Sequence, residues 1–201
     1  MTEIKTTQEA PLERFLAQQR CKRISTYVHG KRVLDFGCGV KAWNAISIKK
    51  ICLEVDGVDR SLIESGTFNG IKLYQEIDEI QEKSYDVIMA LAVFEHIKPL
   101  QLRKVLTSLH RLSHEKTIII GTVPSRRSRR VLEFLSYKLN LIDRSQIEDH
   151  KVYYDDMWMR EIVEGTGWSI KQFRSFQLGM NCFFELNKSP YSEEYVYQHE
   201  S

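Results

Sequence analysis

Apolar residues cluster in short runs along the chain, separated by segments with a helical period. The runs Arg32–Phe36, Glu54–Val58, Ile71–Tyr74, Tyr85–Leu91 and Thr117–Val123 have the length of buried strands. Between the last two, Pro99 to Leu112 places Leu102, Val105, Leu106 and Leu109 on one helical face. Strands alternating with helices predict right-handed crossovers and a mostly parallel sheet. Upstream, Leu12, Phe15, Leu16, Ile24, Tyr27 and Val28 recur at roughly helical spacing. Thr6-x-x-Glu9 fits a capping box and Gly30 a stop, so residues 1–30 are expected to form a helical segment.

Past Val123 the pattern changes. Helices are expected over Arg126–Leu141 and about Asp155–Gly165, with a polar stretch, Asp143–His150, between them. Trp168–Phe176 and Met180–Leu186, joined by Gln177-Leu178-Gly179, read as an antiparallel hairpin added to the parallel core. From Asn187 the chain is polar with a few tyrosines, which predicts a loosely packed tail over 187–201. Residues 31–186 then make one α/β domain, with no internal repeat.

Composition narrows the function. A chain of 201 residues with 42% apolar and 28% charged positions can bury one substantial core. A formal charge of +2 gives no global field toward nucleic acid or anionic lipid, so neither is an expected partner. The longest apolar runs, Val87–Phe94 and Thr117–Ile120, fall short of the roughly 20 residues a membrane span needs. No basic region followed by an apolar stretch opens the chain, so no secretory signal is expected. The four cysteines are scattered, without a Cys-x-x-Cys pair or clustered histidines. That argues against a zinc site and a disulfide framework, and for a reduced cytoplasmic protein without a metal.

The chemistry concentrates in Val33-Leu34-Asp35-Phe36-Gly37-Cys38-Gly39-Val40-Lys41-Ala42, where a strand enters a glycine turn and then a helix start. Glycines there let a ligand approach the backbone, and ligands of open α/β sheets sit at the carboxyl ends of strands. The turn fits two cofactors, because Gly37-x-Gly39-x-x-Ala42 also satisfies the dinucleotide fingerprint. Asp35 separates them. A carboxylate two residues before the first glycine repels a pyrophosphate but attracts an ammonium or sulfonium group. Asp59 ends the second strand 20 residues after Gly39, the position that binds ribose hydroxyls in either case. A third element, Tyr85 to Ile97, is a strand running into Phe94-Glu95-His96-Ile97.

These segments resemble the class I methyltransferases that use S-adenosylmethionine (SAM), especially their small-molecule branch. The first motif of that family is similar to Val33–Lys41, its ribose acid to Asp59, and its fourth-strand signature to Tyr85–Ile97. Gly165-x-Gly167-Trp168 and the hairpin after it look like the step into the family's sixth and seventh strands, so the likeness covers roughly residues 31–186. It implies a Rossmann-like, mostly parallel seven-stranded sheet. It also implies that Asp35, Gly37 and Gly39 line the methionine end of SAM and that Asp59 accepts from the ribose, with Arg60 and Ser61 just beyond. Glu76 and Ile77 would flank the adenine, and Leu91 and Ala92 would lie beneath the cofactor. The family commonly has a third glycine where Lys41 stands. Lys41 is expected to pair with the cofactor's carboxylate; the alternative is that it crowds the site.

Acceptor chemistry is less defined. His150 and His96 are candidate general bases, His150 against a surface loop histidine and His96 against an ordinary loop residue near a helix start. Arg126 and Arg127 open a basic run that reads either as a solvated face or as an anion clamp on the substrate, and Tyr153 lies in the stretch that builds the acceptor wall in relatives. Glu95 and Asp86 are expected to be structural, and Cys38 a small buried residue. No Asn/Asp-Pro-Pro-Tyr/Phe sequence occurs, which disfavours base-nitrogen methylation and points to a small-molecule acceptor such as a sugar or metabolite hydroxyl. An NAD-dependent oxidoreductase and a non-catalytic SAM-binding scaffold stay open as alternatives, as does a homodimer.

Overall fold

The computed structural model describes residues 24–81, 84–125, 155–177 and 179–190. Strands β1 (Arg32–Phe36), β2 (Glu54–Val58), β3 (Gly66–Phe68), β4 (Ile71–Tyr74), β5 (Tyr85–Leu91), β6 (Ser113–Pro124), β7 (Trp168–Phe176) and β8 (Asn181–Lys188) form one sheet. Their order is β3-β4-β2-β1-β5-β6-β8-β7. The neighbours from β4 to β6 are parallel, and β8 then pairs antiparallel with both β6 and β7. This is the α/β Rossmann-like arrangement expected from the sequence, with its antiparallel end. Helices α1 (Trp43–Ile48), α2 (Pro99–Arg111) and α3 (Asp156–Val163) flank the sheet, and residues 24–28 are helical.

Two layers of core lie on opposite faces of the sheet. Alternation along the central strand shows why: Ile88 and Ala90 face Leu102, Leu106, Leu109 and Met159 of α2 and α3. Val87, Met89 and Leu91 face the other way, toward Ile24, Val28, Ala45 and Ile48. A strand covered on both faces has no solvent side, and hence reads as a continuous apolar run.

The sheet has eight strands, one more than the sequence pattern predicts. The addition is β3, a three-residue edge strand whose side chains are all exposed, so it carries no apolar signal. At the other end β8 continues through Asn187 and Lys188, which pair with Ser169 and Trp168, so the expected tail contributes two residues to the sheet. The predicted helix at Arg126–Leu141 lies outside the described residues. Among the described residues no helix is long and apolar enough to cross a membrane.

The order of strands reverses direction between β1 and β5. Such a switch point opens a crevice at the carboxyl ends of the strands.

Candidate functional site

The crevice is a cavity of about 660 Å³. Four parallel strands deliver residues at their carboxyl ends to it: Phe36-Gly37 from β1, Val58-Asp59-Arg60 from β2 and Gln75-Glu76-Ile77 from β4, while Val93 and His96 follow β5.

The turn after β1 depends on its glycines. Gly37 (φ +76°) and Gly39 (φ +66°) occupy the left-handed region that side chains disfavour. Gly37 has a second requirement: a Cβ there would lie 1.9 Å from Cγ2 of Val93, whereas nothing lies within 4 Å of one at Gly39. The amides of Gly37 and Cys38 both donate to the carbonyl of Val58, at 2.8 and 3.3 Å, tying the turn to the end of β2.

Two carboxylates hold this turn from either side. Asp35 is fully buried; its Oδ2 accepts from the Ala45 amide at 3.1 Å, which caps the first turn of α1, and its Oδ1 has no partner. Burial pushes its carboxyl up to about 7, the Ala45 hydrogen bond opposes that, and the charge of Asp59 adds to it. Asp59 accepts three hydrogen bonds: from the Gly39 amide at 2.7 Å, the Ser61 amide at 2.8 Å and the Ser61 hydroxyl at 2.5 Å.

Across the cavity Glu76 caps a 3-10 turn, Ile77–Glu79, in a reciprocal capping box with Glu79. Its Oε2 lies 3.2 Å from Nε of Arg60, and both side chains are exposed, so the pair adds orientation more than stability. His96 sits in the 3-10 turn Phe94–His96 and lines the same cavity. Ala92 is held at φ +57°, its amide donating to the carbonyl of Thr122 at 3.0 Å and to its hydroxyl at 3.2 Å. A non-glycine residue in that region, just past the strand end, carries local strain.

The cavity therefore gathers Gly37, Asp59, Arg60, Glu76, Ile77 and His96. Gly39 reaches it through Asp59. Asp35 lies behind the turn, Leu91 is buried, Ala92 is half-buried and Lys41 is exposed; none of the four is in the cavity wall. His150, Arg126, Arg127 and Tyr153 lie outside the described residues. Glu95 is buried, as a structural role requires, and Asp86 binds the Arg32 amide at 2.8 Å and His114 at 3.1 Å, far from the crevice in the fold.

Sequence reasoning missed the helix that closes the cavity. Gln101, Lys104, Val105 and Ser108 of α2 line it. The signal was present: these positions follow the i, i+3, i+4, i+7 spacing, beside the apolar stripe of Leu102, Leu106 and Leu109.

Size and donor set fit a nucleoside carrying a cationic tail. A cavity of about 660 Å³ is in the range of small-molecule sites. A pyrophosphate at the glycine turn would meet the charge of Asp59, which an ammonium or sulfonium would offset, and the unpartnered Oδ1 of Asp35 lies buried behind the same turn.

No curated protein matches the chain by sequence. Among solved structures it superposes on magnesium protoporphyrin IX methyltransferase from Synechocystis PCC 6803 with bound S-adenosylhomocysteine (SAH), at TM-score 0.61 and 16% identity over 92% of this chain and 90% of that one. A SAM-dependent methyltransferase from Archaeoglobus fulgidus gives TM-score 0.61 and 19% identity, covering 87% and 94%. The 1,6-didemethyltoxoflavin-N1-methyltransferase of Burkholderia thailandensis, solved with 1,6-didemethyltoxoflavin and SAH, gives TM-score 0.58 and 10% identity over 93% and 94%. At these identities the likeness establishes the fold. The profile of the family described as "Methyltransferase domain" matches residues 10–172, most of the chain. With that match, and a glycine turn after β1 beside an acid after β2 in one crevice, the chain belongs to the methyltransferase domain family and is a SAM-dependent methyltransferase of class I.

Proposed function

We propose that this methyltransferase acts on a small molecule, with a hydroxyl as the methyl acceptor. The observation that carries the cofactor half is the pairing of Asp59 and Glu76 across one cavity, with the unpartnered oxygen of Asp35 behind the turn. Asp59 would hold the ribose, Ile77 and Glu76 would flank the adenine, and the Gly37–Gly39 turn, with Asp35 behind it, would meet the methionine end. Bound SAM supplies an already activated methyl carbon, so the chain's main tasks are alignment of the acceptor and exclusion of water. A hydroxyl acceptor must lose its proton. His96, which lines the cavity, is the base in this reading, and His150 is the second candidate.

The small-molecule class is supported by three facts. The chain has a net charge of only +2, lacks the Asn/Asp-Pro-Pro-Tyr/Phe sequence, and shares its fold with enzymes named for porphyrin and toxoflavin substrates. Arg126, Arg127 and Tyr153 complete the acceptor side in this reading.

Calorimetric titration with SAM, SAH and NAD in parallel tests the cofactor. SAM and SAH are expected to bind and NAD to fail, with binding lost in Asp59→Ala. A panel of hydroxylated metabolites scored by SAH release then tests the acceptor. Turnover on a protein or nucleic acid, with none on the panel, would overturn the small-molecule reading.

A further inference from the structure

Asp59 has fewer acceptor sites to offer than the ribose role proposed for it demands. An ionised carboxylate presents about four lone-pair directions. Three are occupied: the Ser61 amide and hydroxyl both donate to Oδ1, at 2.8 and 2.5 Å, and the Gly39 amide donates to Oδ2 at 2.7 Å. One direction remains, on Oδ2. A ribose diol donates from two adjacent hydroxyls and needs two. At least one bond inside the protein must give way when the diol binds.

The three donors differ in what their release costs. The Gly39 amide belongs to the turn tied to Val58, and moving it moves Gly37, which packs against Val93. The Ser61 amide is fixed by the two-residue loop that Asp59 itself caps. The Ser61 hydroxyl is a rotor on an exposed residue and turns away at the cost of one hydrogen bond. We propose that the Ser61 hydroxyl is an internal competitor for the ribose-binding carboxylate. It satisfies Asp59 while no diol is bound and is displaced when one enters, lowering cofactor affinity. The inference rests on the ribose role of Asp59 and sets the sign of a substitution that a plain contact role would reverse.

The test is a titration of SAH into the wild type, Ser61→Ala, Ser61→Thr and Asp59→Asn, with adenosine and 2′-deoxyadenosine as displacing probes. Ser61→Ala keeps the backbone hydrogen bond and removes only the rotor. It is expected to bind SAH about three- to tenfold more tightly, the equivalent of one net hydrogen bond. The gain should be larger for adenosine than for 2′-deoxyadenosine, which needs only the free direction on Oδ2. Ser61→Thr restores the hydroxyl and should return toward wild-type affinity. Unchanged or weaker binding in Ser61→Ala, with binding lost in Asp59→Asn, overturns the competition while leaving the ribose role intact. Wild-type binding in Asp59→Asn removes the ribose role, and the competition falls with it.

Discussion

Asp35 and Ala45 face each other across the glycine turn, joined by a 3.1 Å hydrogen bond from the Ala45 amide to a carboxylate that solvent does not reach. The last acid of β1 thus serves as the cap of α1, whose own N-cap residue, Ala42, has no side chain to do so and sits at φ +45°. Its other oxygen, Oδ1, is buried without a partner, so strand end and helix cap share one side chain.

A pH dependence follows. Burial raises the Asp35 carboxyl from its ordinary 3.8 to about 7, so between those values the folded state holds a proton that the unfolded chain has released. Stability from this group is present below pH 3.8, falls as pH rises through 7 and stays lost above. The whole decline amounts to roughly 4 kcal/mol. Asp35→Asn keeps an acceptor for Ala45 and should flatten the decline, raising the melting temperature at pH 8 more than at pH 5. The same variant should bind SAM at least tenfold more weakly at pH 8, a stability gain at the expense of function. A variant destabilised equally at both pH values would refute the linkage.

Gly37 and Val93 make a second coupled pair. Gly37→Ala meets both a 1.9 Å clash with Cγ2 of Val93 and a backbone at φ +76°. It should destabilise by about 2–4 kcal/mol in urea titration and block SAH binding. Adding Val93→Ala should recover the steric part but leave about 1 kcal/mol of backbone strain, so the double mutant should be less destabilised than the sum of the singles. Additive losses would show that the contact is not the cause.

Much of this architecture was legible in the sequence. The bounds of β1, β2, β4, β5 and β7 coincide with the apolar runs, because strands buried on both faces tolerate few polar positions. Where polar residues pair at an edge or past a strand end, the runs say nothing: β3 is exposed throughout, and Asn187 and Lys188 extend β8 on backbone hydrogen bonds. The acids of the site were legible as types but not as partners. Nothing in the order of residues reveals that Asp59 is engaged by Gly39 and Ser61, or that Asp35 caps α1, since both depend on how the turn folds back.

Arg103 illustrates a contact of that kind. Its guanidinium donates to the carbonyls of Glu161, Ile162 and Glu164 at 2.8, 3.2 and 2.7 Å, closing the carboxyl end of α3. Arg103→Ala should cost about 1–3 kcal/mol, and Arg103→Lys should recover less than half, because an ammonium cannot reproduce the planar fork. Thermal denaturation of both variants decides it; full rescue by lysine would mean that charge alone stabilises the helix end.

Lys41 stands where the family commonly has glycine, on the exposed side of the turn and outside the cavity wall. An exposed ammonium beside a bound carboxylate acts through water, and its contribution is modest and screened by salt. Lys41→Ala should weaken SAM and SAH binding equally, by about two- to fivefold at low ionic strength, because both ligands carry the same carboxylate. The difference from wild type should vanish near 0.5 M salt, where the screening length is about 4 Å. Tighter binding by Lys41→Ala at any salt concentration would instead identify the side chain as an obstruction. Glycine and alanine at this position would then both open the site, and the affinity of the natural chain would be set by crowding rather than by charge.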